Sequence, residues 1–211
     1  QGATQVPIYQ SSAFRHDSAE DLEKIFDNKK MGFSYTRINN PTVESFEKRV
    51  TMLEDGIGSV ACASGMAAIT VALLNVLSAG DEIIAGSGLF GGTIDLFKDL
   101  EAFGITTHFI PHITVEDIKP VLNQNIKAVF GEIIGNPGLD VVNIKEVSDF
   151  LHENGVPFIV DATTATPYLI NALAAGADIV IHSSSKYING SGNAISGIIV
   201  DGGKFQWDKE R

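Results

Sequence analysis

Short apolar runs rich in β-branched residues alternate with helical segments along most of this 211-residue chain. Such runs predict buried strands, because β-branched side chains pack well on a pleated sheet. The predicted strands are residues 59–63, 82–85, 105–110, 126–132, 157–161, 177–182 and 194–201. Helical segments separate most of them and are long enough to cross between parallel strands. The alternation therefore predicts a three-layer α/β fold with a mostly parallel, seven-stranded sheet.

The helices are predicted where apolar residues recur every three or four positions. Their ranges are 66–77, 93–103, 115–122, 144–153 and, as a crossover, 167–176. An earlier helix is predicted over 41–53, because Asn40 can cap it and Pro41 suits its first turn. Residues 1–40 show no sustained period and are interpreted as an N-terminal arm, and residues 41–211 as one large domain.

The composition argues against several classes of function. The formal net charge of -11 repels phosphate backbones, so nucleic acid is not an expected partner. Cys62 is the only cysteine and no charged, then apolar, leader opens the chain, which favours a cytoplasmic protein. Residues 56–80 are uncharged over a length that could cross a bilayer, but a strand, a turn and a helix explain them better than a membrane span.

Polar side chains follow two consecutive predicted strands at the point where each strand ends. The first strand ends in Asp161, and the second runs into Ser183, Ser185 and Lys186. Ligands of α/β sheets bind beyond the carboxyl ends of parallel strands, so Asp161 and Lys186 are expected to flank one crevice. Such a lysine can form a Schiff base with pyridoxal 5'-phosphate, while the carboxylate keeps the pyridinium nitrogen protonated. A solvated lysine and a turn-capping aspartate are the structural alternatives.

A phosphate site is predicted at Ser64-Gly65-Met66, between a strand and a helix. The amides of Gly65 and Met66 would point outward at the positive end of the helix dipole. The hydroxyl groups of Ser183 and Ser185 could donate to the same phosphate. An ordinary tight turn and a polar strand end remain the alternatives.

Two further side chains could contact the planar ring of the cofactor. Asn136 follows the strand 126–132, where its amide could bond a ring oxygen, although Asn-Pro is also a turn signal. Phe90 precedes two glycines and could stack on the ring, although an aromatic residue here could equally belong to the core. No metal centre is expected, because no cysteine lies at a zinc-binding spacing from a histidine.

Eight blocks of sequence, in order, resemble the Cys/Met-metabolism family of pyridoxal phosphate enzymes. They are TQVPIYQSSAF, YTRINNPT, SGMAAI, GD, GGT, GNP, VDATTATPYL and GADIVIHSSSKY, and they span nearly the whole chain. The resemblance implies the large domain of a fold-type I, aminotransferase-like transferase. It also implies a smaller C-terminal domain, which carries the substrate-carboxylate arginine and is absent from this chain. Residues 197–207, GIIVDGGKFQW, are most similar to O-acetylhomoserine sulfhydrylases.

The resemblance assigns roles residue by residue. Lys186 resembles the Schiff-base lysine and Asp161 the pyridinium partner. The residues that resemble the family's phosphate donors are Gly65, Met66, Ser183 and Ser185. Tyr35 and Arg37 resemble residues that reach the phosphate in the neighbouring subunit, which implies a homo-oligomer, either a dimer or a tetramer of dimers.

The residues around the ring are assigned in the same way. Asn136 resembles the asparagine near the ring hydroxyl, and Thr163 resembles a residue beneath the ring. Phe90 stands where the family usually has a tyrosine that stacks on the ring and can move protons. It therefore retains a stacking surface but lacks the hydroxyl group.

These roles imply γ-replacement on an activated homoserine, in which sulfide replaces acetate on O-acetylhomoserine to give homocysteine. The substrate is thus a small amino acid, and Lys186 is the base that removes its α-proton. Cystathionine γ-synthase and methionine γ-lyase are the alternatives within the family. A non-catalytic protein that keeps the fold and binds the cofactor or a phosphate is the alternative of another class.

Overall fold

The computed structural model describes residues 4–207 of the chain. The outermost residues of the predicted arm and of the predicted large domain, 1–3 and 208–211, lie outside the described residues. The chain divides into two compact units, residues 1–49 and residues 50–211. The strands of the described residues all belong to the second unit.

The first unit contains a helix, α1 (Ala19–Phe26), that the sequence analysis did not predict. Its start is capped by Ser18, whose Oγ accepts a hydrogen bond from the amide of Asp21 at 3.1 Å. Its apolar residues Leu22, Ile25 and Phe26 recur at helical spacing, but over only two turns, which is too short for a sustained period. The predicted arm, residues 1–40, therefore contains a short helix although it shows no sustained period.

Helix α2 (Pro41–Glu54) begins at the predicted residue and runs from the first unit into the second. The Oδ1 atom of Asn40 accepts a hydrogen bond from the amide of Thr42 at 2.9 Å. This contact satisfies one of the amides that have no acceptor within the helix. The predicted cap and the predicted proline start are both confirmed.

The second unit is built on a single seven-stranded sheet, as predicted. Its strands are β1 (Gly58–Cys62), β2 (Glu82–Gly86), β3 (Thr106–Ile110), β4 (Ile126–Glu132), β5 (Phe158–Asp161), β6 (Ile179–His182) and β7 (Gly197–Asp201). Their order across the sheet is β1-β7-β6-β5-β4-β2-β3. Strand β7 is antiparallel to both of its neighbours, and every other pair is parallel.

Helices cover both sides of this sheet and give the predicted α/β architecture. They are α3 (Gly65–Val76), α4 (Gly91–Asp99), α5 (Val115–Ile118), α6 (Ile144–Glu153), α7 (Thr166–Leu169) and α8 (Ala172–Ala175). The core between α3, α4 and the sheet includes Phe97, whose ring packs edge-on at 5.3 Å from that of Phe130. The uncharged residues 56–80 form β1, a turn and α3, as predicted. No helix in the described part of the chain has both the length and the apolar character needed to cross a bilayer.

Three predicted helices differ from the observed ones. The helix predicted over 93–103 is α4 as far as Asp99 and a 3-10 helix from Leu100 to Phe103. Helix α5 ends at Ile118 rather than at residue 122, because Pro120 has no N–H with which to continue the helical hydrogen bonds, although Lys119 still has helical backbone angles. The crossover predicted over 167–176 is split into α7 and α8. Asn171 starts the second piece by accepting a hydrogen bond from the amide of Ala174 at 2.8 Å.

A buried pair joins the end of α2 to the end of β6. The Nε2 atom of His182 lies 2.7 Å from Oε1 of Glu54, and neither side chain is exposed to solvent. The other polar atoms, Oε2 of Glu54 and Nδ1 of His182, have no hydrogen-bond partner among the described residues. Because His182 directly precedes Ser183, this pair anchors the strand that leads into the predicted site.

Removing one member of this pair should destabilise the protein. Glu54→Ala leaves a buried imidazole without a partner, and such losses cost about 3–5 kcal/mol. Glu54→Gln keeps an acceptor oxygen and should cost less. The free energy of unfolding from urea denaturation measures both effects.

The matched control for this test is Asp149→Ala, which breaks the exposed pair between Asp149 and Lys145 at 2.8 Å. An exposed pair of this kind contributes at most about 0.5 kcal/mol. Equal losses in Glu54→Ala and Asp149→Ala would contradict a stabilising role for the buried pair.

Candidate active site

The carboxyl ends of β1 to β6 lie at one edge of the sheet. This follows from the pairing, since β7 is antiparallel to both β1 and β6 and all other pairs are parallel. The segments that leave this edge carry the predicted site residues of the second unit, which are Gly65, Met66, Phe90, Asn136, Asp161, Thr163, Ser183, Ser185 and Lys186. Such an edge is where α/β proteins bind their ligands.

Thr163 links the ends of β5 and β6. Its amide donates a hydrogen bond to Oδ1 of Asp161 at 2.8 Å, and its Oγ1 accepts one from the amide of Ser183 at 2.7 Å. A buried backbone amide is thereby satisfied by a side chain rather than by the sheet. The contact fixes the spacing between the aspartate and the segment that leads to Lys186.

Asp161 is a buried carboxyl group, with 9% of its surface exposed. Burial raises its pKa, and the hydrogen bonds from Thr163 and the nearby charge of His182 offset only part of this effect. The ionised carboxylate would therefore gain from a cation placed against it. A protonated pyridine nitrogen is a cation that a buried acceptor of this kind can hold.

The turn between β1 and α3 presents two backbone amides. Ser64 caps the helix, because its Oγ accepts a hydrogen bond from the amide of Ala67 at 3.1 Å. The amides of Gly65 and Met66 come earlier and have no acceptor within the helix. They lie at the positive end of a twelve-residue helix, which is a favourable place for a phosphate.

Glycine is required at position 65 by the close approach of Ser183. A Cβ at Gly65 would lie 2.5 Å from Cβ of Ser183 and 2.9 Å from its Cα, closer than non-bonded atoms approach. The hydroxyl group of Ser183 is also adjacent, 2.7 Å from that same position. The structure thus places the predicted hydroxyl donor Ser183 beside the predicted amide donor Gly65.

Lys186 follows β6 in a turn that is stabilised by contacts of Ser184 and Ser185 with Ser196. The Oγ of Ser184 lies 2.8 Å from that of Ser196, and the Oγ of Ser185 accepts from the amide of Ser196 at 2.9 Å and donates to its carbonyl at 3.1 Å. The Lys186 side chain is exposed and makes no hydrogen bond or ion pair to the part of the chain described here. Its amine is therefore available to a ligand, whereas the Ser185 hydroxyl is engaged within the protein.

Phe90 and Asn136 come from different loops of this edge. Phe90 directly precedes α4, and 48% of its surface is exposed. Its ring lies against Gly92, where an added Cβ would be 2.9 Å from Cε1 of the ring and 3.6 Å from Sδ of Met66. Asn136 is exposed, and its side-chain amide has no hydrogen bond to the described residues. Both side chains are thus accessible to a ligand.

One carboxyl group at this edge, that of Glu132, was not predicted from the sequence. It ends β4, and its two oxygens accept hydrogen bonds from the amides of Phe90 at 2.8 Å and Asn136 at 3.0 Å. Burial, together with the charge of Asp161, raises its pKa to about 7. The signal that identified Asp161, a carboxylate at the end of a buried strand, was also present at Glu132.

Tyr35 and Arg37 lie in the first unit. The guanidinium carbon of Arg37 is 5.3 Å from the centre of the Tyr35 ring, a distance that allows a cation–π contact. Tyr35 also forms an isolated antiparallel bridge with Ala13. The two residues predicted to act together are therefore neighbours within this unit.

A metal centre or a cavity elsewhere in the fold would be an alternative site for chemistry. Across residues 4–207, no group of three or more His, Cys, Asp or Glu side chains is arranged to hold a metal ion. A cavity of about 680 Å³ lies at the opposite edge of the sheet, near the start of β4 and β6, and is lined partly by Phe205 and Trp207. It contains none of the predicted site residues, so the carboxyl edge is the better candidate.

A family model described as Cys/Met metabolism PLP-dependent enzyme matches residues 1–211. The chain belongs to this family. Enzymes of this family depend on pyridoxal 5'-phosphate. The fold of the chain is the fold-type I architecture predicted above.

Two relatives are similar in sequence over most of this chain. The O-acetyl-L-homoserine sulfhydrylase of Corynebacterium glutamicum is 43% identical over 99% of this chain and 48% of its own length. An L-methionine gamma-lyase of Fusobacterium nucleatum is 40% identical over 94% of this chain and 51% of its own length. The chain thus spans about half the length of these relatives.

A solved structure shows the same arrangement of the backbone. It is a Campylobacter jejuni protein assigned as an O-acetylhomoserine (thiol)-lyase, and it carries a pyridoxyl-lysine-phosphate. The two chains superpose with a TM-score of 0.88 at 32% identity, covering 95% of this chain and 50% of the other. The present Cys/Met-metabolism chain offers an unpaired lysine, a buried carboxylate and open amides, which fit such a cofactor.

Replacing Gly65 in this family member should weaken phosphate binding. In Gly65→Ala the new Cβ forces either Ser183 or the turn to move, which displaces the amide donors. We expect the affinity for pyridoxal 5'-phosphate to fall about tenfold or more, equivalent to about 1.4 kcal/mol. Titration of the cofactor-free protein, followed by visible absorbance, measures this change.

Gly58→Ala is the matched control, because an added Cβ there meets no atom within 4 Å. It should leave cofactor affinity unchanged. Equal affinities for Gly65→Ala and the unaltered protein would show that the close approach to Ser183 does not shape the phosphate site.

Proposed function

We propose that the whole protein catalyses γ-replacement on O-acetylhomoserine, with sulfide as the nucleophile and homocysteine as the product. The observation that carries this proposal is the convergence of Lys186, Asp161 and the open amides of Gly65 and Met66 at one edge of the sheet. The similarity to the sulfhydrylase supports the choice of reaction within the family. The substrate is accordingly a small amino acid with an acylated side chain.

Different residues at this edge hold different parts of the cofactor. The amides of Gly65 and Met66, with the hydroxyl of Ser183, hold the phosphate through short, charge-assisted hydrogen bonds. Asn136 and Phe90 contact the ring, and Phe90 does so only by stacking, because it has no hydroxyl. Thr163 lies beneath the ring while it holds Asp161 in place, and Ser185 supports the turn that presents Lys186.

Asp161 and Lys186 carry the chemistry. When bound, pyridoxal phosphate supplies an electron sink for the negative charge that forms at the substrate's α-carbon. The Asp161 carboxylate keeps a proton on the ring nitrogen, and its burial strengthens that interaction because the surroundings have a low dielectric constant. Lys186 holds the cofactor and, once its amine is displaced by the substrate, takes the α-proton.

We further infer an assembly in which residues 1–40 form an arm on residues 41–211 of a second copy. Arg37 of one subunit then reaches the phosphate held by the other, with Tyr35 beside it. A guanidinium suits this task, because its planar donors can bind two phosphate oxygens at once. The active unit is then a dimer, or a tetramer of dimers, of a cytoplasmic enzyme with the single cysteine Cys62.

The Schiff-base assignment predicts the site of covalent labelling. Whole protein loaded with pyridoxal 5'-phosphate and reduced with borohydride should carry the pyridoxyl group on Lys186. Lys186→Ala should lower homocysteine formation by at least about a hundredfold. Lys145→Ala, which removes an exposed lysine from α6, is the control and should retain activity. Label on another lysine would contradict the assignment.

The same assay separates the reaction classes. Incubation with O-acetylhomoserine and sulfide should release acetate and homocysteine. Incubation with methionine alone tests the lyase alternative, which would release methanethiol. A protein that binds the cofactor on Lys186 but turns over neither substrate would support the non-catalytic alternative.

The shared phosphate site predicts complementation between two impaired variants, assayed at a cofactor concentration that does not saturate Arg37→Ala. Arg37→Ala should weaken cofactor binding about tenfold to a hundredfold, as expected for the loss of a contact to a charged group. Mixing it with Lys186→Ala should restore activity, because one site of a mixed dimer then has both residues intact. Tagged chains establish that subunits exchange.

Arg15→Ala is the control for this test, since Arg15 is an exposed arginine of the same unit. It should bind the cofactor normally. If subunits exchange, both variants fold and no activity returns, Arg37 does not act across the interface.

A further inference from the structure

Glu132 lies directly beside Asp161. The two residues are paired in the register of β4 and β5, so their side chains leave the same face of the sheet from strands about 4.8 Å apart. A single carboxylate is enough to hold the ring nitrogen. The carboxyl group of Glu132 must therefore have another role. Its burial beside a like charge is unfavourable, so its presence there needs a compensating contact.

The contacts of Glu132 supply that explanation. Its Oε1 accepts the amide of Phe90 at 2.8 Å and its Oε2 accepts the amide of Asn136 at 3.0 Å. These amides belong to the loop that precedes α4 and to the loop that follows β4. One carboxylate thus joins the two loops that present the exposed Phe90 and Asn136 side chains.

We propose that Glu132 is a positioning residue, which holds these two loops at the separation at which Phe90 and Asn136 both reach the ring of the cofactor. The proposal rests on the proposed function, because it takes Phe90 and Asn136 as ring contacts. Glu132 itself contacts neither the cofactor nor the substrate in this role. It acts through the backbone of the two residues that do.

A carboxylate suits this role better than any neutral side chain. Phe90 has no side-chain acceptor with which to cap α4, and its own amide receives its acceptor from Glu132. Two N–H donors from separate loops need two acceptor oxygens, which an ionised carboxylate provides. A glutamine provides one oxygen and turns its NH₂ group toward the other amide. It should therefore retain one loop and release the other.

The loops also touch independently of Glu132. A Cβ at Gly135 would lie 3.0 Å from the carbonyl oxygen of Gly88, so the two backbones pack closely just outside the carboxylate. The amide of Gly135 is in turn bound to the carbonyl of Asp140 at 2.9 Å. Loss of the carboxylate should thus change the loop positions without unfolding them.

The pH dependence of stability reports on the same group. The charge of Asp161 on β5 acts on it, and the neighbouring loops carry the exposed side chains of Asp140 and His112, which are 3.9 Å apart. Because the folded-state pKa of Glu132 is raised from 4.5 to about 7, its contribution to stability is full below pH 4.5 and is lost as the pH rises through about 7. Glu132→Gln should remove this part of the slope and leave the parts due to other groups.

The decisive experiment compares Glu132→Gln with the unaltered whole protein loaded with pyridoxal 5'-phosphate. We expect cofactor affinity to fall about tenfold and the visible circular dichroism band of the bound cofactor to change, because the ring loses one of its fixed contacts. In a Phe90→Leu, Asn136→Ala background the same substitution should have less effect, since the ring contacts are already absent. Glu153→Gln, at the end of α6, is the control and should change neither quantity.

The outcomes separate this inference from the proposed function. If Glu132→Gln keeps the affinity and the dichroism band, Glu132 does not position the ring, whatever reaction the protein catalyses. If the band changes as expected but no homocysteine forms, the reaction is wrong and the positioning role stands. Should Glu132→Gln fail to fold, Glu132→Asp, which keeps both oxygens but shortens the side chain by one carbon, is measured in the same way: a lower affinity with a changed band supports the role, and an unchanged affinity and band overturn it.

Discussion

The parallel pairing of β4, β5 and β6 is the constraint on which the site depends. It brings the ends of three strands to one edge, so that Glu132, Asp161 and Ser183 lie on adjacent strands. Thr163 then locks two of these ends together through its amide and its hydroxyl. The lysine that follows β6 is presented by this frame, and its own amine remains unpaired among the described residues.

Two carboxyl groups lie at this edge, and the protein holds them in two different ways. Glu132 is satisfied by two backbone amides, whereas Asp161 is held by Thr163 and is suited to a cationic ring nitrogen. Both carboxyl groups have raised pKa values because they are buried. The site is therefore built to receive a group that carries positive charge at one end and phosphate at the other, since Gly65 and Met66 offer amides nearby.

Most of the sheet and much of the site could be predicted because each depends on local pattern. β-Branched runs gave the seven strands, and the polar residues at their ends gave Asp161, Ser183 and Lys186. Helix α1 was not predicted, since its helical spacing of apolar residues extends over only two turns, and the split between α7 and α8 depends on a cap at Asn171. Such short elements are stabilised by a few specific hydrogen bonds rather than by a long apolar face.

The sequence by itself determined the family, the α/β fold and the order in which lysine, carboxylate and glycine turn occur along the chain. Only the tertiary structure decided that Glu132 accepts a hydrogen bond from the amide of Phe90, which is 42 positions away in the sequence. It also decided that the Ser185 hydroxyl donates a hydrogen bond to the carbonyl of Ser196. It also decided that Gly65 has no room for a side chain beside Ser183. The physical reason for the first two is that they are contacts to backbone atoms, which every residue carries alike, so no residue type marks them in the sequence. The third depends on how closely β1 and β6 bring two distant residues together, which the sequence pattern does not specify.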